Sequence, residues 1–185
     1  MKVQLFTIGH SNRFFEDFLS LLKEFQIRLI ADIRRYPGSR KFPHFNRGTL
    51  AELLSAQGIQ YVWFEALGGR RHTAINEESS NTGIKSPGYR NYADYMMTDE
   101  FLTAVDELIA LGRKCRTAIM CAEKFYWKCH RRLLSDFLTA SGITVFHILE
   151  HGTLREHNLT QGAVVTDKGL VTYPQSNNFN CKYSY

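Results

Sequence analysis

Short apolar runs alternate with amphipathic stretches along most of this chain, and each run ends at glycine or at polar residues. Val3 to Ile8 reads as a strand closed by Gly9, Ile27 to Ile33 as a second halted by Pro37-Gly38, and Ile59 to Phe64 as a third. Thr117 to Met120 and Ile143 to Leu149 supply a fourth and a fifth. Phe14, Phe15, Phe18, Leu19, Leu22 and Phe25 fall on one helical face, with Ser11 or Asn12 available as its cap. Thr49-x-x-Glu52 is a capping box that opens a short helix through Leu50, Leu53 and Leu54, ended by Gly58. Tyr92 to Leu111 reads as helix with a break near Thr98-Asp99 and Gly112 at its end. Leu133, Leu134, Phe137 and Leu138 mark another helix that stops at Gly142, and Val164-Val165 and Leu170-Val171 flank a hairpin turn at Asp167-Lys168-Gly169. Strands alternating with helices predict an α/β, three-layer fold: a mostly parallel sheet with helices on both faces, plus a C-terminal hairpin.

With 185 residues the expectation is a single α/β domain over 1–185. A polar stretch near 67–90, rich in Gly, Ser and Asn, is too long for a routine connection and reads as an excursion or a lid. A C-terminal extension follows near 151–185. Apolar residues at 44% and charged residues at 22% exclude a disordered chain or a coiled coil. No apolar run approaches the roughly 18 residues that a membrane span needs, so no membrane partner is expected. The N-terminus enters a strand-like segment instead of a signal peptide, and Cys115, Cys121, Cys129 and Cys181 are too few for a disulfide scaffold. Reduced thiols and a cytoplasmic location are expected.

Net charge is +5, which by itself points only weakly to an anionic partner; the clustering of Arg34, Arg35, Arg40 and Lys41, and of Lys124, Lys128, Arg131 and Arg132, carries more. In open parallel sheets ligands collect beyond the carboxyl ends of the strands. Strand one exits into Gly9-His10-Ser11-Asn12-Arg13, either an anion cradle at a helix start or an ordinary turn and cap. Strand two exits into Asp32, Arg34 and Arg35. That carboxylate is either half of a structural ion pair or a base beside arginines that grip an anion bidentately. Strand three leads to Leu67-Gly68-Gly69-Arg70-Arg71, where glycines permit close backbone approach and arginines supply charge, although a solvated loop looks alike.

The sharpest signal is Cys121-Ala122-Glu123-Lys124-Phe125-Tyr126-Trp127-Lys128-Cys129-His130-Arg131. Cys121 ends the fourth strand and Cys129 precedes a helix beside Lys128, His130 and Arg131, a setting that lowers a thiol pKa and suits a nucleophile or a redox pair. A core role for Cys121 is the plain alternative. Zinc on Cys121, Cys129 and His130, reinforced by His147 and His151, is a further option, but the spacing fits no standard zinc pattern. His44 and His157 are expected at the surface. Phe125-Tyr126-Trp127 between two lysines either stacks on nucleic-acid bases or packs its loop onto the protein.

Taken together, Thr7-Ile8-Gly9-His10-Ser11-Asn12-Arg13, Asp32 through Arg40, Leu67 through Arg71, and Cys121-Ala122-Glu123-Lys124 through Cys129-His130-Arg131 resemble the domain of unknown function 488 family. Val145-x-His147-Ile148 fits it as well, so the resemblance runs in order from about residue 5 to 150. It implies a single α/β domain of bacterial or archaeal type and supplies no established activity. The family's two motif cysteines map onto Cys121 and Cys129. Members often carry an acidic residue and a proline after Ala-Glu-Lys, where this chain has Phe125 and Tyr126, a departure that bears on loop shape or substrate preference.

The leading expectation is a cytosolic enzyme with a thiol site at the carboxyl edge of the sheet. Cys129 or Cys121 is the nucleophile, His10 or His130 the proton carrier, and Asp32 or Glu123 the orienting carboxylate. Ser11, Asn12, Arg34, Arg40, Arg70, Lys124 and Arg131 are expected to bind an anionic substrate: a phosphorylated metabolite, a nucleotide or a nucleic acid. The alternatives are a non-catalytic nucleic-acid-binding module that uses the basic and aromatic loops, and a protein-interaction domain. No cofactor is assigned beyond the zinc option, and oligomeric state is not readable.

Overall fold

The computed structural model describes residues 3–71 and 79–175. Residues 72–78 of the excursion, and the end of the extension with Cys181, lie outside the described residues. Six strands form one sheet: β1 (Gln4–Gly9), β2 (Leu29–Asp32), β3 (Gln60–Trp63), β4 (Thr117–Cys121), β5 (Thr144–Glu150) and β6 (Thr153–Glu156). Their order is β3-β2-β4-β1-β5-β6, with β1 to β5 parallel and β6 antiparallel at the edge. The edge strand β6 was not foreseen: all its residues are exposed, so it lacks the apolar run that marked the others.

Five helices cover the two faces: α1 (Phe15–Glu24), α2 (Arg47–Ser55), α3 (Pro87–Tyr95), α4 (Asp99–Lys114) and α5 (Arg131–Ala140). Strand alternation sorts the core into two layers. Phe6, Ile8, Ile30, Ala118 and Met120 pack with Phe18, Leu21 and Leu22 of α1 and Leu50 and Leu54 of α2. Leu5, Leu29, Ala31, Ile119 and Cys121 face α3, α4 and α5 through Tyr92, Phe101, Val105, Leu108, Leu133 and Leu134. The result is the expected three-layer α/β fold, and the hairpin is present as β7 (Val164–Val165) paired with β8 (Val171–Thr172).

Several helix ends differ from expectation for local reasons. Phe14, not Ser11 or Asn12, takes the cap position of α1, and its ring is 73% exposed instead of joining the core. Asn46 precedes α2, so Thr49 lies inside that helix and its capping box does not form. The expected break is present: Thr98 begins α4 by accepting from the Phe101 N–H, a cap worth about 1 kcal/mol. Gly112 does not stop α4; it lies within the helix, where a Cβ would stand 2.6 Å from the Leu5 side chain, so it permits close helix-to-sheet packing.

Connections after β1 and β2 lead to α1 and α2 on one face, whereas the connection after β4 leads to α5 on the other. Adjacent β1 and β4 therefore send their chains to opposite sides, which opens a crevice beyond their carboxyl ends.

Candidate functional site

The crevice between β1 and β4 is bridged at its base by the backbone itself. His10 N–H donates to the Cys121 carbonyl at 3.0 Å and Ser11 N–H to the Ala122 carbonyl at 2.8 Å, continuing the parallel ladder past the strands. Gly9 is required there, because a Cβ would stand 1.9 Å from the Glu123 carbonyl oxygen. Above this base lies a cavity of about 810 Å³, lined from the β1, β2 and β4 exits, the Gly69-Arg70 turn and the start of α3. Among the described residues five cationic side chains line it, Arg34, Arg35, Lys41, Arg70 and Lys128, against one carboxylate, Glu123. Ser11 and Arg70, both on the wall, adopt left-handed backbone (φ 51° and 56°), a cost of about 1–2 kcal/mol each that the surrounding contacts must offset.

Asp32 does not reach the cavity. It is fully buried behind it, accepting from Arg34 Nε at 2.9 Å, from Arg34 N–H at 3.0 Å and from Tyr61 OH at 2.6 Å. The expected catalytic carboxylate is thus the anchor of a buried fork that aims Arg34 at the wall. Arg34 NH1 then donates to His10 Nε2 at 3.3 Å, while His10 Nδ1–H donates to the Ser11 carbonyl at 3.0 Å. Burial and the Arg34 charge lower the His10 pKa to about 3, so its imidazole is neutral with both nitrogens engaged. His10 steadies Arg34.

The two cysteines meet at the cavity floor, 7% and 3% exposed for Cys121 and Cys129, and both are free thiols. Cys129 Sγ accepts from Arg131 N–H at 3.5 Å and from Arg131 Nε at 3.4 Å. Burial alone would raise this thiol; the Cys121 S–H donating to it, together with His130 and Arg131, outweighs burial and holds Cys129 well below the ordinary range. Cys121 is held well above that range by giving its S–H to Cys129 and by burial. The two sulfurs are thus pushed apart, Cys129 toward the deprotonated form and Cys121 toward the protonated one. His130 Nδ1 faces both sulfurs, 3.7 Å from Cys129 and 3.9 Å from Cys121. Its ring is wedged edge-on against Tyr92 and against Gly69, where a Cβ would approach Nδ1 to 2.8 Å.

Other expected binders lie elsewhere. Arg131 is 1% exposed and turned inward, its second nitrogen donating to the Glu123 carbonyl, so it acts on Cys129 and on the loop instead of on a ligand. Lys124 pairs with Glu150 at 2.6 Å outside the cavity, and exposed Arg40 is also outside its lining. Arg71 is structural: it donates to the carbonyls of Gly68 and Ala66 and stacks on Tyr95, fixing the turn that presents Arg70. Lys41 and Lys128, noted in the sequence only as members of basic clusters, line the cavity, as do Tyr36, Tyr89 and Tyr92, which nothing local marks because their neighbours come from distant segments. The aromatic loop divides. Tyr126 stacks on His147 at 3.5 Å, whereas Phe125 and Trp127 stack on each other at 4.7 Å and remain 39% and 41% exposed.

Cys121 Sγ, Cys129 Sγ and His130 Nδ1 lie within 4.8 Å of one another, the metal-capable trio among the described residues. The donor set suits zinc, but the group stops at three ligands: no further His, Cys, Asp or Glu among the described residues joins it. Arg131 also already donates to Cys129. The expected reinforcement from strand five is missing: His147 bonds Thr7 and His157 in the interior, and His151 sits 61% exposed beside Glu24. His157, expected at the surface, is 5% exposed, bonded to Asp136 at 2.9 Å.

Among the described residues no helix is long and apolar enough to cross a membrane. Comparison with curated proteins and with solved structures finds no match. A family model, domain of unknown function DUF488, matches residues 15–138, a span that holds Asp32, Arg34, the Gly68-Gly69 turn and the whole Cys121–Arg131 segment. The chain belongs to the DUF488 family.

Proposed function

We propose that this protein is a cytoplasmic, cysteine-dependent enzyme acting on a small anionic substrate, of the phosphate-bearing or nucleotide kind, at the β1/β4 crevice. One observation carries the reading: the Cys129 sulfur, which accepts from Arg131 Nε at 3.4 Å, lies on the floor of a cavity whose charged lining among the described residues is five cations to one carboxylate. Cys129 is the nucleophile, Cys121 its proton-bearing neighbour, and His130 the proton carrier, since His10 is engaged on both nitrogens. Arg34, Arg35, Lys41, Arg70 and Lys128 receive the anion beside Ser11 and Asn12, with Glu123 orienting the group under attack. Free thiols 4.8 Å or less apart suit a reducing compartment.

The test is iodoacetamide alkylation of each cysteine, followed by peptide mass spectrometry between pH 5 and 9. Cys129 is expected to react well below the unperturbed thiol pKa of about 8.5, and pyrophosphate or AMP to slow it. Half-buried Cys115 serves as internal reference. If Cys129 reacts no faster than Cys115 at neutral pH, the thiolate assignment fails; if anions give no protection, the substrate class fails.

A second reading rests on the exposed Phe125–Trp127 stack, which has Lys124 and Lys128 about 6 Å from the Phe125 ring. Such a platform suits unpaired bases of a single-stranded nucleic acid. It predicts oligonucleotide quenching of Trp127 emission, lost in Trp127→Phe, with affinity falling linearly in log salt. Absence of quenching at low salt ends it.

A further inference from the structure

We infer that Cys121 and Cys129 are a working dithiol: Cys129 exchanges with a small disulfide that carries carboxylates, and Cys121 resolves the mixed disulfide. The inference rests on the reading of Cys129 as nucleophile and adds a role for Cys121 and a substrate class.

Three features carry it. The two sulfurs come from opposite ends of one loop, the last residue of β4 and the residue before the cap of α5, yet they lie within 4.8 Å. An S–S bond of about 2.05 Å then requires approach through side-chain rotation. Second, the pair is asymmetric. Cys129 receives two donors from Arg131, whereas Cys121 contacts Cys129 and His130. A sulfur that serves purely as core filling gains nothing from a place on the cavity wall. Third, His130 Nδ1 lies 3.9 Å from Cys121 Sγ and 3.7 Å from Cys129 Sγ, so it can take the Cys121 proton at the point where the two sulfurs join.

The steps balance. Cys129 S⁻ attacks one sulfur of R–S–S–R; the new bond is Cys129–S–S–R, and RS⁻ leaves. Cys121 gives its proton to His130, and its thiolate attacks Cys129 Sγ. That forms the Cys121–Cys129 disulfide and expels a second RS⁻, which takes the proton from His130. The protein loses two electrons and the substrate disulfide gains them. The cationic wall of Arg34, Lys41, Arg70 and Lys128 selects carboxylate-bearing disulfides over cationic ones. Cys129's thiolate fraction at neutral pH sets the rate.

The test mixes the full reduced chain with glutathione disulfide at neutral pH and follows intact mass and cysteine peptides. The wild type is expected to end two hydrogens lighter, with Cys121 and Cys129 cross-linked and two glutathiones released. Cys121→Ser, with Cys121→Ala as a second variant, should stop at a glutathione adduct on Cys129. Cystamine, a cationic disulfide, should react on the order of tenfold more slowly despite its good thiol leaving group. Wild type that accumulates the same adduct as Cys121→Ser overturns the resolving role and leaves the nucleophile standing. An inert Cys129 brings down both readings. Cystamine reacting as fast as glutathione disulfide overturns the carboxylate-bearing class.

Discussion

At the scale of single residues, the site depends on two glycines that differ in what they face. A Cβ at Gly9 would stand 1.9 Å from the Glu123 carbonyl and 2.8 Å from Lys124 Cα, both backbone. The Glu123 carbonyl also accepts from Arg131, so it cannot retreat without loosening the thiolate. Gly9→Ala is expected to cost at or above the roughly 1–3 kcal/mol of ordinary overpacking, read as a lowered melting temperature. At Gly69 the obstacle is the His130 ring, a side chain that can turn. Gly69→Ala should therefore fold, while displacing His130 and changing the alkylation rate of Cys129; an unchanged rate would mean that His130 does not act on the sulfur. Gly69 was legible in the sequence as a site of close approach and Gly9 only as a turn or cradle, and what approaches either was not. Glu123 and His130 are more than fifty residues away, and no local pattern records such a meeting.

At the scale of elements, the loop from β4 to α5 shows where local reading succeeds and where it stops. Apolar Thr117 to Met120 and the Leu133–Leu138 spacing place Cys121 at a strand end and Cys129 before a helix, as the structure has them. Arg131 was expected to face a ligand, since an arginine beside a thiol at a helix start carries no mark of direction. It instead folds back, with Nε on Cys129 and NH2 on the loop carbonyls. Arg131→Lys removes the fork while keeping the charge, and lysine is a poor replacement at such a site. The alkylation midpoint of Cys129 should rise toward the unperturbed value of about 8.5. Reactivity that keeps the wild-type pH profile in Arg131→Lys would show that the guanidinium does not hold the thiolate. Asp32 was open between ion pair and base, and the structure places it in a buried fork with Arg34 and Tyr61, away from the cavity.

At the scale of the whole molecule, strand order and the attachment of the extension were beyond sequence reading, because both are set by pairings between distant segments. The extension is tied down by a buried chain: Tyr173 OH donates to Asp136 at 2.7 Å, His157 bonds Asp136 at 2.9 Å and His147 at 2.9 Å, and His147 bonds Thr7 at 2.7 Å. This chain has a consequence for acid stability. Burial lowers the His147 pKa to about 2, helped by the His157 and Arg131 charges, and burial with Arg34 lowers His10 to about 3. In the unfolded chain both return to about 6.5. Below that value the unfolded state binds protons that the folded state refuses, so stability is full above pH 6.5 and falls as the solution is acidified toward the folded values. Each histidine contributes a slope of about 1.4 kcal/mol per pH unit in that window. Against a total stability of about 5–15 kcal/mol, two such groups weaken the fold severely before pH 4. Urea midpoints are therefore expected to fall steeply from about pH 6.5 down to about pH 4.5, and less steeply in His147→Gln, which has no proton to take up. A wild-type midpoint that stays level across this interval would mean that the two imidazoles titrate alike in both states, and that the buried chain from Thr7 to Tyr173 opens to solvent.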